Sequence, residues 1–162
     1  MRAKDLMIPL RETLHPSQTL REAACLLRAA RRGEEKIGVK ALPVLEDPGR
    51  LVGILSIGDI LKAAYPQYMY LANLGDFTWD GMVETLAKRM AERKVEEFMT
   101  RQVITVREDA TLMECVDHML KNGVKRVPVV DSRDVVIGML YERDVFYALT
   151  EAMLSDQGGC PS

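Results

Sequence analysis

Side chains that could carry covalent or metal chemistry are few in this sequence of 162 residues: His15, His118, Cys25, Cys115 and Cys160. Neither histidine has a second ligand at metal spacing or a nucleophile beside it, and the cysteines show no metal-like pattern. His15 reads as exposed and His118 as the flank of a helix. Cys25 and Cys115 read as reduced thiols within helices, and Cys160 as a tail residue. There is no glycine-rich phosphate loop of the hydrolase kind, no His-Cys pairing and no carboxylate pair with an evident substrate cleft, so the expectation is a protein that is not an enzyme. One spacing stands out. At Ser56-Ile57-Gly58-Asp59 a hydroxyl and a carboxylate stand three residues apart at the start of a helical pattern. That spelling is a capping box, in which each side chain satisfies a free amide of the first turn.

Composition narrows the partners. Nearly half the residues are apolar, and a net charge of -2 with acids and bases interspersed gives no nucleic-acid groove and no polybasic membrane surface. The start, MRAKDLMIPL, lacks the apolar core of a signal peptide, and no later run approaches the roughly 18 apolar residues of a membrane span. The expected location is the cytoplasm.

The elements that must position Ser56 and Asp59 are written twice. GVKALPV at 38 to 44 returns as GVKRVPV at 123 to 129. At a shift of 85 the match continues through Pro43 and Pro128, Gly53 and Gly138, Leu55 and Leu140, and Asp59 and Asp144. At a shift of 92, Met7, Thr13, Thr19, Leu20 and Glu22 align with Met99, Thr105, Thr111, Leu112 and Glu114. The shifts differ by seven, so the first copy carries seven extra residues within 28 to 37, either as about two more helical turns or as a loop. Two similar units sharing a buried face are implied.

Each copy reads as β-α-β-β-α. An extended piece near Thr13-Leu14 or Val103 to Val106 precedes a helix opened by a Thr-x-x-Glu capping box at Thr19 or Thr111. Stripes of Ala23, Leu26, Leu27 and Ala30, and of Cys115, Val116, Met119 and Leu120, follow at helical spacing. Two apolar runs around Asp47-Pro48-Gly49 or Ser132-Arg133-Asp134 form a hairpin. Pro43 and Pro128, which cannot donate to a ladder, are expected at a strand start or edge. The last helix should turn Ile60, Leu61 and Ala64, or Val145, Phe146, Leu149 and Met153, inward. Gly38 and Gly123 are expected to end helices in the left-handed conformation. Between the copies, Tyr65-Pro66 stops a helix, an aromatic stretch follows, and Met82, Val83, Leu86 and Met90 make a further helical stripe. The expected division is 1–64, a partly helical linker 65–94, 95–153, and a disordered tail 154–162.

The double unit, the MT-x-x-V-x-TV opening at Met99 to Val106, the repeated G-V-K-x-x-P-V phrase and Gly-x-Leu-x-x-x-Asp before the last helix together resemble a tandem pair of CBS domains, a Bateman module. The resemblance covers roughly 3–64 and 95–153. It implies an α+β fold of two units packed about a pseudo-two-fold axis, with ligand clefts between them. The implied function is regulatory sensing of an adenosine-containing ligand, AMP, ADP, ATP or S-adenosylmethionine, with or without magnesium. A homodimer and an unidentified regulated protein are implied partners. The alternative is a ligand-free dimerisation or interaction module.

Carried over by motif, Ser56 and Asp59 are the family's ligand motif: the carboxylate would accept from ribose hydroxyls, and the serine and helix amides would meet phosphate. Asp144 keeps the acid in the second copy, but Tyr141 replaces the serine, where its ring could stack on a base, fill the cleft or pack outward. Arg143, Lys40, Lys125 and Arg126 stand where relatives place phosphate-binding bases, each with a solvated surface cation as the alternative reading. Thr13, Ile104 and Thr105 stand where relatives hold the adenine.

Overall fold

The computed structural model describes residues 1–29, 31–32, 37–65, 69, 81–155 and 158–160. Apart from Met69, the aromatic stretch at 68–79 lies outside the described residues, as does part of the tail. In chain order the elements are α1 (Ala3–Leu6), β1 (Ile8–Pro9), α2 (Leu20–Ala29), β2 (Arg31–Arg32), β3 (Ile37–Gly38), β4 (Ala41–Glu46), β5 (Arg50–Ser56) and α3 (Ile57–Ala64). Then come α4 (Met82–Ala91), a 3-10 turn (Val95–Glu97), β6 (Val106–Arg107), α5 (Leu112–Asn122), β7 (Arg126–Val130), β8 (Val136–Tyr141) and α6 (Glu142–Ser155).

These elements form two compact units, but the units do not coincide with the repeat copies. One, here the N-unit, is Glu12–Val103; the other, the C-unit, is Met1–Arg11 with Ile104–Ser162. Each copy's lead-in segment packs on the other copy's hairpin. In the C-unit, Ile8 and Pro9 pair antiparallel with Met139 and Gly138 of β8. In the N-unit, Thr100 exchanges both backbone hydrogen bonds with Ile54 of β5, at 2.8 and 2.9 Å. A glycine makes each approach possible. A Cβ on Gly53 would meet Met99 Sδ at 2.7 Å and the Thr100 carbonyl at 2.9 Å; on Gly138 it would meet Met7 Sδ at 2.7 Å and the Ile8 carbonyl at 2.8 Å.

Within each unit the hairpin, β4–β5 or β7–β8, carries the core face. Leu14, Leu20, Leu27, Val44, Leu55, Val95 and Met99 make the N-unit core, while Val106, Cys115, Met119, Val127, Val129, Leu140 and Val145 make that of the C-unit. Pro43 lies within β4, an edge strand of the two-stranded β4–β5 sheet as expected, whereas Pro128 lies inside β7, between β8 and β6, and both are tolerated there. The reason is visible at Pro43, whose carbonyl accepts from Leu14 N at 2.9 Å. Its nitrogen faces the same side, ahead of the first parallel ladder bond, so no donor is missed.

The seven-residue insertion neither lengthens α2 nor stays wholly irregular: Arg31 and Arg32 pair antiparallel with Gly38 and Ile37. Gly38 accordingly lies in a strand, while Gly123 caps α5 at φ 61°, as expected. The last helices differ from expectation. Val145 is buried, but Leu61 is 66%, Phe146 57% and Met153 65% exposed, and Leu149 is also exposed. Successive helical residues are about 100° apart, so only a narrow strip of each helix meets its sheet. In the C-unit the uncovered residues border a groove of about 490 Å³ between α5 and α6, walled by Met119, Leu120, Val124, Val145, Phe146 and Leu149. Leu120 at its rim is 77% exposed. In the N-unit, α4 packs against α2 and α3, and Met90 contacts the core. Among the described residues no helix is long and apolar enough to cross a membrane.

Candidate ligand site

In the N-unit, β4 leaves Lys40 exposed at its start, and β5 ends at Ser56, which pairs with Ala41. Ile57 N donates to the Lys40 carbonyl at 2.9 Å, fixing the first turn of α3 beside the lysine. The capping box is complete: Asp59 N donates to Ser56 Oγ at 3.1 Å and Ser56 N donates to Asp59 Oδ2 at 2.9 Å. This cap holds the hydroxyl and carboxylate together at a helix amino terminus, where the backbone dipoles favour an anion. Among the described residues Oδ1 of Asp59 receives only a long contact, 3.4 Å, from Thr100 Oγ1. It retains capacity to accept from a vicinal diol. Thr13 is exposed next to Leu14, which bridges Val44 of β4.

Thr100 is a residue that motif reasoning did not place here. It stands in the MT-x-x-V opening of the second copy, yet the exchange of lead-in segments delivers its hydroxyl to the carboxylate of the first. A signal was present, because Thr100 aligns with Ile8 at the shift of 92 and so is not part of the shared apolar pattern.

The C-unit repeats the frame with different chemistry. Glu142 N donates to the Lys125 carbonyl at 2.8 Å, and Arg126 pairs with Tyr141. Lys125, Arg126, Tyr141, Arg143 and Asp144 are thus gathered where β7 starts and α6 begins. Ile104 and Thr105 are half-buried just before β6. Arg143 folds onto its own helix: Nη2 donates to Tyr147 Oη at 3.2 Å and the guanidinium carbon lies 5.4 Å from the ring centroid. A phosphate at this place would have to draw it off the ring. Tyr141 is half-buried and brings no compact hydroxyl to the helix start, while Asp144 Oδ2 is enclosed.

This double βαββα frame has counterparts among known proteins. The CBS domain model matches residues 3–65 and 95–151, so the chain belongs to the CBS domain family, as a tandem pair. An uncharacterised protein of Methanocaldococcus jannaschii, MJ1426, is 33% identical over 123 residues, 68% of this chain and 73% of that one. L-aspartate semialdehyde sulfurtransferase of the same organism is 29% identical over 88% of this chain, which spans only 22% of its length. Among solved structures, CBSX2 in complex with AMP is 26% identical with a TM-score of 0.66, covering 94% of this chain and 98% of that one. The same protein from Arabidopsis thaliana superposes with a TM-score of 0.69 at 27% identity, covering 94% and 96%. The CBS domain pair of MJ0100, in complex with 5-methylthioadenosine and S-adenosyl-L-methionine, is 26% identical with a TM-score of 0.66, covering 94% and 98%. The fold is therefore the α+β fold of CBS-pair proteins.

Proposed function

We propose that this chain senses an adenosine-containing ligand, AMP, ADP, ATP or S-adenosylmethionine, without catalysing a reaction, and passes the change to a separate regulated protein. The observation that carries this reading is the start of α3: Ser56, Asp59 and Lys40 are held together by backbone and capping bonds, with Thr100 beside the carboxylate. Asp59 takes the ribose, and Ser56, Lys40 and the helix amides take phosphate where the ligand has one. Lys125, Arg126, Arg143, Asp144 and Tyr141 form the second, more altered position, with Ile104 and Thr105 towards the base there and Thr13 towards the base in the first. Sensing then requires that the ligand bind one conformation of the module better than another. A cytoplasmic homodimer is part of the reading. The exposed apolar strip on α5 and α6 supports an association surface, and the same strip is what favours the second reading, a ligand-free interaction module.

The test is thermal unfolding against AMP, ADP, ATP, S-adenosylmethionine and GTP, with and without magnesium, on protein shown by mass spectrometry to carry no ligand. A ligand at a hundredfold excess over its Kd adds about 2.7 kcal/mol of stability. Asp59→Ala should weaken the selected adenosine compound by about 5- to 150-fold, the equivalent of roughly 1 to 3 kcal/mol, while staying folded. A panel that moves nothing would leave the interaction module as the surviving reading.

A further inference from the structure

The C-unit holds a second cavity, of about 490 Å³, at the opposite end of its hairpin from Lys125 and Tyr141. Thr105 borders it, but none of Lys125, Arg126, Tyr141, Arg143 and Asp144 does. Its polar wall is built from separate stretches of chain: Arg2 from the lead-in, Arg107 from β6, Asp109 from the following turn, Glu114 and His118 one helical turn apart on α5, and Asp134 from the β7–β8 turn.

Several of these groups are already fixed. Arg2 Nη1 donates to the Asp109 carbonyl at 3.0 Å. Arg107 Nη1 donates to the Asp131 carbonyl at 2.9 Å and lies 3.3 Å from Asp134 Oδ1. Glu114 is anchored by Thr111 N at 2.6 Å. The Thr111 amide and hydroxyl hold its carboxyl below the usual range, with smaller help from the charges of Arg2 and His118. Each guanidinium spends Nη1 in these bonds and has further N–H donors to offer.

The charge pattern selects the ligand. Two guanidiniums repel a metal cation, and three carboxylates repel phosphate or any polyanion. A small molecule carrying both signs satisfies both sets, and the volume lies within the range of small-molecule sites, roughly 300 to 1,000 Å³. We infer that this cavity binds a small zwitterion of the α-amino acid class, its carboxylate on Arg2 and Arg107 and its ammonium on Asp109 and Glu114, as an input separate from the nucleotide. Because Arg2 belongs to the lead-in and Glu114 to α5, the bound molecule would clamp the lead-in onto α5 within the C-unit.

The sequence's two histidines make the test site-specific. The ring-proton NMR signal of His118 reports the cavity; that of His15, in the N-unit and 2.7 Å through Nδ1 from Ser17 Oγ, is the control. Glycine, L-aspartate and L-methionine are titrated at millimolar concentration, with acetate, methylammonium, inorganic phosphate and calcium chloride as comparisons. At least one amino acid should move His118 saturably and leave His15 in place. Arg107→Ala and the shape-preserving Asp109→Asn should each weaken that response roughly tenfold or more, whereas Asp59→Ala should not. Silence of His118 towards all three amino acids, an equal response to acetate or phosphate alone, or full binding by the folded Asp109→Asn variant would each overturn the assignment. Since Asp59→Ala separates the two sites, failure here is distinguishable from failure of the nucleotide reading.

Discussion

The starts of α3 and α6 occupy the same place in two copies of one unit, yet they are built differently. In the N-unit the serine, the carboxylate and the backbone amides close a capping box, so the groups that would meet a ligand are held by the same bonds that begin the helix. In the C-unit Tyr141 stands in the serine's place and the nearby arginine lies on Tyr147. The difference teaches that a repeated backbone preserves position without preserving chemistry: the bond from Lys40 or Lys125 to the helix start survives in both copies, and the hydroxyl does not.

The comparison can be broken most sharply at the glycines that receive the lead-ins. Gly53→Ala and Gly138→Ala each force a Cβ to within 3 Å of a backbone carbonyl, and each should cost about 1 to 3 kcal/mol in urea unfolding, as overpacking does. A wild-type midpoint for either would show that its lead-in is not tightly docked. A smaller effect sharpens the functional contrast. Ser56→Ala and Thr111→Ala remove matched caps, on α3 and α5, and each should lower stability by about 1 kcal/mol. Only Ser56→Ala should also weaken the adenosine ligand in a titration; equal affinity in the two variants would reduce Ser56 to a cap.

The smallest effect separates the two hairpins. Asp47-Pro48-Gly49 turns the first, with Gly49 at φ 108°. The second is turned by Asp131, whose carboxylate accepts from Val135 N at 3.0 Å and Arg133 N at 2.8 Å. Those amides, Val135 first, hold the Asp131 carboxyl below its ordinary value. Its contribution is therefore present above the unfolded pKa, near 3.9, and disappears as pH falls through the folded value. Asp131→Asn should flatten that acid limb of the stability profile; an unchanged limb would show that other carboxylates set it.

Much of this was legible in the chain itself. The capping residues Thr111, Glu114, Ser56 and Asp59, the turn at Asp131 to Asp134 and the two-fold repetition follow from hydrogen bonds and periodicities spanning a few residues, which local sequence encodes. The inward turn expected of Leu61, Phe146 and Met153 was not, because helical spacing identifies an apolar stripe without saying which part of it a sheet will cover. Nor was the interior position of Pro128, which depends on where its parallel neighbour begins to bond. The pairing of Met7 with Gly138 and of Met99 with Gly53 joins residues far apart in the chain, so only tertiary packing could decide it. Thr100 reaches Asp59 by that same exchange. The sequence by itself determined the two repeat copies and their local chemistry; the tertiary structure decided which copy each lead-in completes, because that choice is made by long-range close contact between a glycine and a backbone carbonyl.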